Sequence, residues 1–153
     1  MNAYYLDASA AVKGYVAERG SPRVVGLLEN VAGSELYLSR IGTVEVAAGI
    51  FGKVKSRETD IEEATSAVNR LKTDLEDIYR IIEVSASTTE RAIEAAEKYR
   101  LRAYDCLQLA TAVLLQEQRA LAGLEPLTFM SSDGELNAAA RSEGLTVDDP
   151  VES

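Results

Sequence analysis

The sequence predicts an α/β fold, a mostly parallel sheet with helices on both faces, and three observations carry that expectation. Short apolar runs bounded by turn residues alternate with longer segments of helical periodicity, the order that a parallel sheet requires. In the segment Ala103–Leu115, AYDCLQLATAVLL, ten of thirteen residues are apolar, so this helix is apolar on nearly every side and belongs between other layers. The chain is 153 residues long and 46% hydrophobic, enough to bury a core without disulfides or metals as staples.

Taken in order, Ala3–Leu6 reads as a first strand with Asp7 at its end, and a helix then runs from Ser9 through Val16 until Gly20-Ser21-Pro22 breaks it. Pro22 suits the first turn of a second helix, which buries Val24, Val25, Leu27, Leu28 and Val31 and ends at Gly33. Glu35–Ser39 alternates as a strand, and Ile41–Val54 resumes helical character with Glu45 inside it. Apolar residues from Ile61 to Ile78 recur every three or four positions and mark an amphipathic helix. Arg80–Val84 reads as a third strand, and Ser87-Thr88-Thr89-Glu90 as a capping box opening a helix to Tyr99. The central apolar helix follows. Leu127–Ser131 is a fourth strand with Asp133 beyond it, Leu136–Arg141 a short helix and Gly144–Val147 a last strand. No repeat or linker divides the chain, so residues 1–147 are expected to form one domain and 148–153 a short acidic tail, frayed from Asp148.

Composition narrows the chemistry. There is no histidine, which removes the commonest general base, the Ser-His and Cys-His nucleophile pairs and most zinc sites. The single cysteine, Cys106, precludes an internal disulfide and sits in the apolar helix as a small hydrophobe. No apolar run is long enough for a membrane span, and the polar, aromatic start MNAYYLD lacks the pattern of a signal peptide, so a cytoplasmic location away from any membrane is expected. The net charge is −9, a poor surface for gripping a polyanion without a local basic patch, a cation or a partner.

In open parallel sheets the functional crevice lies at the carboxyl ends of the strands. Asp7 and Asp133 fall there, Glu45 lies on the helix after the second strand, and Asp105 sits at the start of the central helix. Singly, each has a structural role open to it: Asp7, Asp105 and Asp133 as helix caps, Glu45 as a solvated helix residue. Gathered at one edge, four carboxylates would repel one another, and a hard divalent cation with oxygen ligands, Mg²⁺ or Mn²⁺, would relieve them. Carboxylate-held metals activate water and polarise phosphoryl oxygens, chemistry that suits a chain without histidine.

Leu6-Asp7-Ala8-Ser9, Glu45 among small and apolar residues, Tyr104-Asp105-Cys106-Leu107-Gln108-Leu109-Ala110, and Ser131-Ser132-Asp133 leading into Leu136 and Ala139 together resemble the PIN-domain nucleases. The likeness is greatest to the small VapC-type ribonuclease toxins of toxin–antitoxin pairs, and it runs from about Tyr4 to Val147. It implies a PIN-like three-layer α/β/α domain with a five-stranded parallel sheet and a Mg²⁺- or Mn²⁺-dependent endoribonuclease. It further implies a small antitoxin partner and a homodimer. By resemblance, Asp7, Glu45 and Asp105 match the catalytic, metal-binding acids, and Asp133 matches a more variable fourth. Ser9 and Ser131 match hydroxyl residues that support the site. Gln108 departs from the histidine often found three residues after the third acid. Arg40 and Arg102, beside the acidic helices in sequence, are the candidate phosphate contacts. Two other readings remain: a haloacid-dehalogenase-like phosphohydrolase with Asp7 as nucleophile, although Ser9 stands where that class wants a second Asp, and a catalytically silent protein-binding module.

Overall fold

The computed structural model describes residues 1–152. Five strands form one parallel sheet: β1 (Asn2–Leu6), β2 (Ser34–Ser39), β3 (Tyr79–Ile82), β4 (Leu127–Met130) and β5 (Thr146–Asp148), in the order β3-β2-β1-β4-β5. The helices are α1 (Ala8–Ala11), α2 (Ser21–Glu29), α3 (Arg40–Lys55), α4 (Ile61–Asp77), α5 (Ala86–Tyr99), α6 (Ala103–Leu121) and α7 (Gly134–Ser142). The α/β/α architecture expected from the sequence is therefore present. No described helix is long and apolar enough to cross a membrane.

Strand alternation sorts the side chains into two cores. Ala3, Tyr5, Tyr37, Leu127 and Phe129 face a layer built from α5, α6 and α7, while Leu6, Leu36, Leu38 and Met130 face α1 to α4. Tyr5 and Phe129 stack across the β1–β4 pair with ring centroids 5.6 Å apart. Both faces are covered, which explains why the strands read as short apolar runs. The chain builds outward from β1 through β2 to β3, then crosses back to place β4 on the other side of β1. The junction of β1 and β4 is thus the topological switch point, and the crevice outside its carboxyl end is where this class of sheet binds ligands.

Several boundaries differ from the sequence reading. The first helix is one turn, tightening to a 3-10 turn over Val12–Gly14, where Gly14 lies against α2. A Cβ on Gly14 would come within 2.5 Å of Leu28 Cδ1. Helix α2 stops at Glu29, and a second 3-10 turn carries the chain to Gly33. The capping box of α5 is Ser85 with Thr88, two residues earlier than expected. The Thr88 N–H donates to Ser85 Oγ at 3.3 Å and the Ser85 N–H to Thr88 Oγ1 at 3.1 Å, so threonine takes the part anticipated for Glu90. Helix α6 continues to Leu121, through good helix formers, and buries Arg119 against Glu35 and Tyr37.

The tail is not frayed at Asp148. That residue belongs to β5, its carbonyl accepts the Ser131 N–H at 3.2 Å, and its carboxylate pairs with Arg23 at 2.8 Å. Pro150 is buried beside Gly20, whose φ is +88° and whose missing Cβ would stand 3.0 Å from the Pro150 carbonyl group. Ser153 lies outside the described residues. A Gly20→Ala substitution meets both a left-handed backbone and this contact. It is expected to lower unfolding free energy by about 1–3 kcal/mol, read as a fall in the urea midpoint at unchanged slope.

Candidate active site

Asp7 is the residue that β1 delivers to the crevice. Its backbone N–H donates to the Met130 carbonyl at 3.0 Å, so the pairing with β4 carries one residue past the end of β1. As N-cap of α1 its Oδ1 accepts the Ala10 N–H at 3.1 Å and the Ser9 hydroxyl at 2.7 Å, while Oδ2 accepts the Ser131 hydroxyl at 3.0 Å. Ser9 Oγ in turn accepts the Ser132 N–H at 2.9 Å, and Ser131 Oγ the Asp133 N–H at 3.1 Å. The two serines thus tie the loop after β4 to the carboxylate after β1. Asp133 caps α7 by accepting the Leu136 N–H at 3.2 Å, the structural role anticipated for it.

Glu45 lies half-buried on α3, and its Oε1 accepts Gln108 Nε2 at 2.7 Å. Asp105 occupies the first turn of α6, where the helix dipole favours its charge. It is the electrostatic centre of the group. Burial pushes Asp7 from its ordinary 3.8 up to about 6, and the Asp105 charge adds to that against the hydrogen bonds from Ser9, Ala10 and Ser131. Burial likewise raises Glu45, with Gln108 opposing and Asp105 reinforcing. Asp105 is itself raised, first by burial and then by the charges of Asp133 and Glu135, with Arg102 pulling the other way. The sequence-predicted acids therefore interact at one edge of the sheet.

They do not close into a ready coordination shell. Among the described residues no three acidic, histidine or cysteine side chains converge closely enough to hold a metal ion. The chemistry of the donors nevertheless fits Mg²⁺ or Mn²⁺: carboxylates and hydroxyls are all hard oxygens, and Asp7, Glu45 and Asp105 are raised in pKa by burial and by one another's charge, which a cation would offset. Magnesium keeps several waters and needs only one or two protein carboxylates. Two further buried oxygens near the Ser131–Asp133 loop, Ser132 Oγ and Asn137 Oδ1, have no hydrogen-bond partner.

The basic candidates fare differently. Arg102, exposed at the N-cap of α6, makes no capping hydrogen bond and stands close enough to Asp105 to be felt by it. Arg40 is engaged with Glu83 on the surface, Nε to Oε1 at 2.9 Å, a pair weak enough in solvent to be exchanged. Lys13 and Lys53 both pair with Glu18. Of the tyrosines beside the acids, Tyr5 and Tyr15 are buried and Tyr104 is 59% exposed. Sequence reasoning missed the support beneath Glu45: Gln108, Tyr5 and Ser39, all buried and mutually hydrogen-bonded. The available signal was a glutamine inside an apolar helix, since a buried carboxamide requires partners.

A partly buried group of carboxylates at the switch point of a β3-β2-β1-β4-β5 parallel sheet, in a chain without histidine, is not a nucleophile–histidine site. The sequence profile described as PIN domain matches residues 4–141, and the chain belongs to the PIN-domain family. No curated protein matches it closely in sequence. Among solved structures it is similar to a toxin–antitoxin complex from Klebsiella pneumoniae, at 18% identity over 96% of this chain and 97% of the other, with a TM-score of 0.59. It is similar to VapBC2 from Rickettsia felis, bound to a DNA fragment from its promoter, at 16% identity, 95% and 97% coverage and a TM-score of 0.61. It is also similar to Mycobacterium tuberculosis VapC20, a toxin that cleaves the sarcin-ricin loop, at 16% identity, 89% and 94% coverage and a TM-score of 0.61. At these identities the likeness is one of fold.

The raised Asp7 has a thermodynamic consequence. Its folded-state value of about 6 lies above the ordinary 3.8, so the folded protein is most favoured below that ordinary value and loses stability as pH rises through about 6. Without added metal, Asp7→Asn is expected to be more stable than the parent at pH 7.5, by about 1–3 kcal/mol, with the gain vanishing near pH 4. Urea titrations of both proteins across that range check it.

Proposed function

We propose that the protein is a Mg²⁺- or Mn²⁺-dependent endoribonuclease acting as the toxin of a type II toxin–antitoxin pair. The observation that carries this reading is the meeting of Asp7, Glu45, Asp105 and Asp133 around the charge of Asp105 at the β1–β4 switch point. Such an array is unfavourable by itself and becomes useful when a cation joins it. Asp7, Glu45 and Asp105 would hold the ion, with Asp133 beside them. When bound, the ion supplies polarisation of a phosphoryl oxygen and an activated water.

The chain's own residues do the rest. Ser9 and Ser131, their hydroxyls 3.4 Å apart, each hold one Asp7 oxygen, so the carboxylate is preorganised. Arg102, and Arg40 once released from Glu83, would meet the phosphate backbone and offset the net charge of −9. Both oxygens of Asp7 already accept hydrogen bonds, which blunts it as the nucleophile of a dehalogenase-like enzyme. VapC20 is described as cleaving the sarcin-ricin loop, and the Klebsiella and Rickettsia structures as toxin–antitoxin assemblies. They support RNA as substrate and a small antitoxin as partner, with which the protein would act as a cytoplasmic homodimer.

Asp7→Asn and Asp105→Asn are each expected to cut RNA cleavage by at least about 100-fold while circular dichroism stays unchanged, a loss of roughly 3 kcal/mol or more of transition-state stabilisation. EDTA should stop the parent enzyme and Mg²⁺ or Mn²⁺ restore it. Full activity in Asp105→Asn, or cleavage indifferent to EDTA, overturns the mechanism. The toxin role is tested separately by induced expression: host growth should halt, and co-expression of the adjacent small open reading frame should relieve it. Growth unaffected by induction argues for the silent-module reading.

A further inference from the structure

We propose that Gln108 is a positioning residue that fixes Glu45 through a one-directional hydrogen-bond chain beginning at a backbone N–H of α3. The inference rests on the metal-site reading for its function, and on the geometry of four residues for its existence. Gln108 is 1% exposed on α6, one turn beyond Asp105. Its carboxamide Nε2 donates to Glu45 Oε1 at 2.7 Å, and its Oε1 accepts the Tyr5 hydroxyl at 2.5 Å and the Ser39 hydroxyl at 3.4 Å.

The direction of this chain is set at its far end. Ser39 Oγ, the N-cap of α3, accepts the Gly42 N–H at 2.9 Å. A backbone N–H only donates, so the Ser39 proton is left to point at Gln108 Oε1. Tyr5 is fully buried, and burial keeps its phenol protonated. Its proton goes to the same oxygen. With the Tyr5 proton on its carbonyl and the Ser39 hydroxyl within reach, the carboxamide presents its NH₂ group to Glu45. A flipped amide would set its carbonyl against a carboxylate oxygen.

Gly42 gives independent support. A Cβ there would lie 3.0 Å from Ser39 Oγ and 3.2 Å from Gln108 Nε2, so glycine is what lets the first turn of α3 close on this network. Among the described residues the other Glu45 oxygen, Oε2, takes part in no hydrogen bond. One oxygen is anchored to α6 and the other is left for the site. A carboxamide does not titrate, so the donor side of the anchor keeps its charge state, whereas an imidazole in its place would change charge near neutrality.

The test is a double-mutant cycle on the full chain, read by Mn²⁺ affinity in paramagnetic resonance titrations and by the Gln108 side-chain amide signal in ¹⁵N–¹H spectra. Gln108→Met should weaken Mn²⁺ binding about 10-fold, the scale of outer ligand-orienting contacts, and should have no further effect in a Glu45→Gln background. An equal loss in both backgrounds means that Gln108 only packs, and overturns the proposal. Tyr5→Phe, which keeps the ring and removes one proton from the chain, should weaken binding less, again only when Glu45 is present. It serves as the second variant if Gln108→Met fails to fold. In the amide spectra, the Gln108 signal should shift in both Glu45→Gln and Tyr5→Phe; a signal unmoved by either overturns the chain itself. A parent protein that binds no Mn²⁺ sinks the metal reading, while the amide shifts still decide whether Gln108 and Glu45 are coupled.

Discussion

Everything at the carboxyl edge of this sheet depends on the pairing of β1 with β4. The two strands run in register from Ala3 and Leu127 to Leu6 and Met130, and the ladder continues one bond further, from the Asp7 N–H to the Met130 carbonyl. Tyr5 on Phe129 anchors the pair in one core, and Leu6 with Met130 in the other. Only because both faces are locked can Asp7 be held with its two oxygens addressed by Ser9 and Ser131. A slip of one residue would exchange the two cores and turn the carboxylate away.

That placement has an electrostatic cost that the fold accepts. Asp7 is buried, Asp105 and Glu45 are partly buried, and each is pushed toward its neutral form by burial and by its neighbours. Helix starts soften the repulsion: Asp7 and Asp133 cap α1 and α7, and Asp105 sits in the first turn of α6. Capping and site chemistry are therefore not competing explanations for these residues. The N-terminal N–H groups let the carboxylates be buried, and their residual repulsion makes a cation welcome.

Support from beneath is neutral throughout. Serine hydroxyls hold Asp7, and a glutamine oriented by a tyrosine and a serine holds Glu45. The titratable cations lie further out: Arg40 on Glu83, Lys13 and Lys53 on Glu18. This division leaves the charge of the acids uncompensated by neighbouring lysines, while Arg40, exposed on its pair with Glu83, stays at the surface.

The sequence by itself determined the alternation of strands and helices, the two-faced burial of the sheet and the four acids, because these follow from local periodicity and from the rule that strand ends carry the site. Ala103–Leu115 announced a buried helix, and Asp105 stood out within it because a charge in apolar surroundings calls for a reason. Other features were decided only in three dimensions. The close approach of Leu28 to Gly14 after the one-turn α1 depends on a neighbour outside the local sequence, as does the docking of Asp148 on Arg23 and Pro150 beside Gly20. So does the link between Glu45 and Gln108, separated by 63 residues, and the surface engagement of Arg40. Periodicity reports which face of an element is buried, but which polar groups meet across that face depends on the distance between elements, and that is set only when the whole sheet closes.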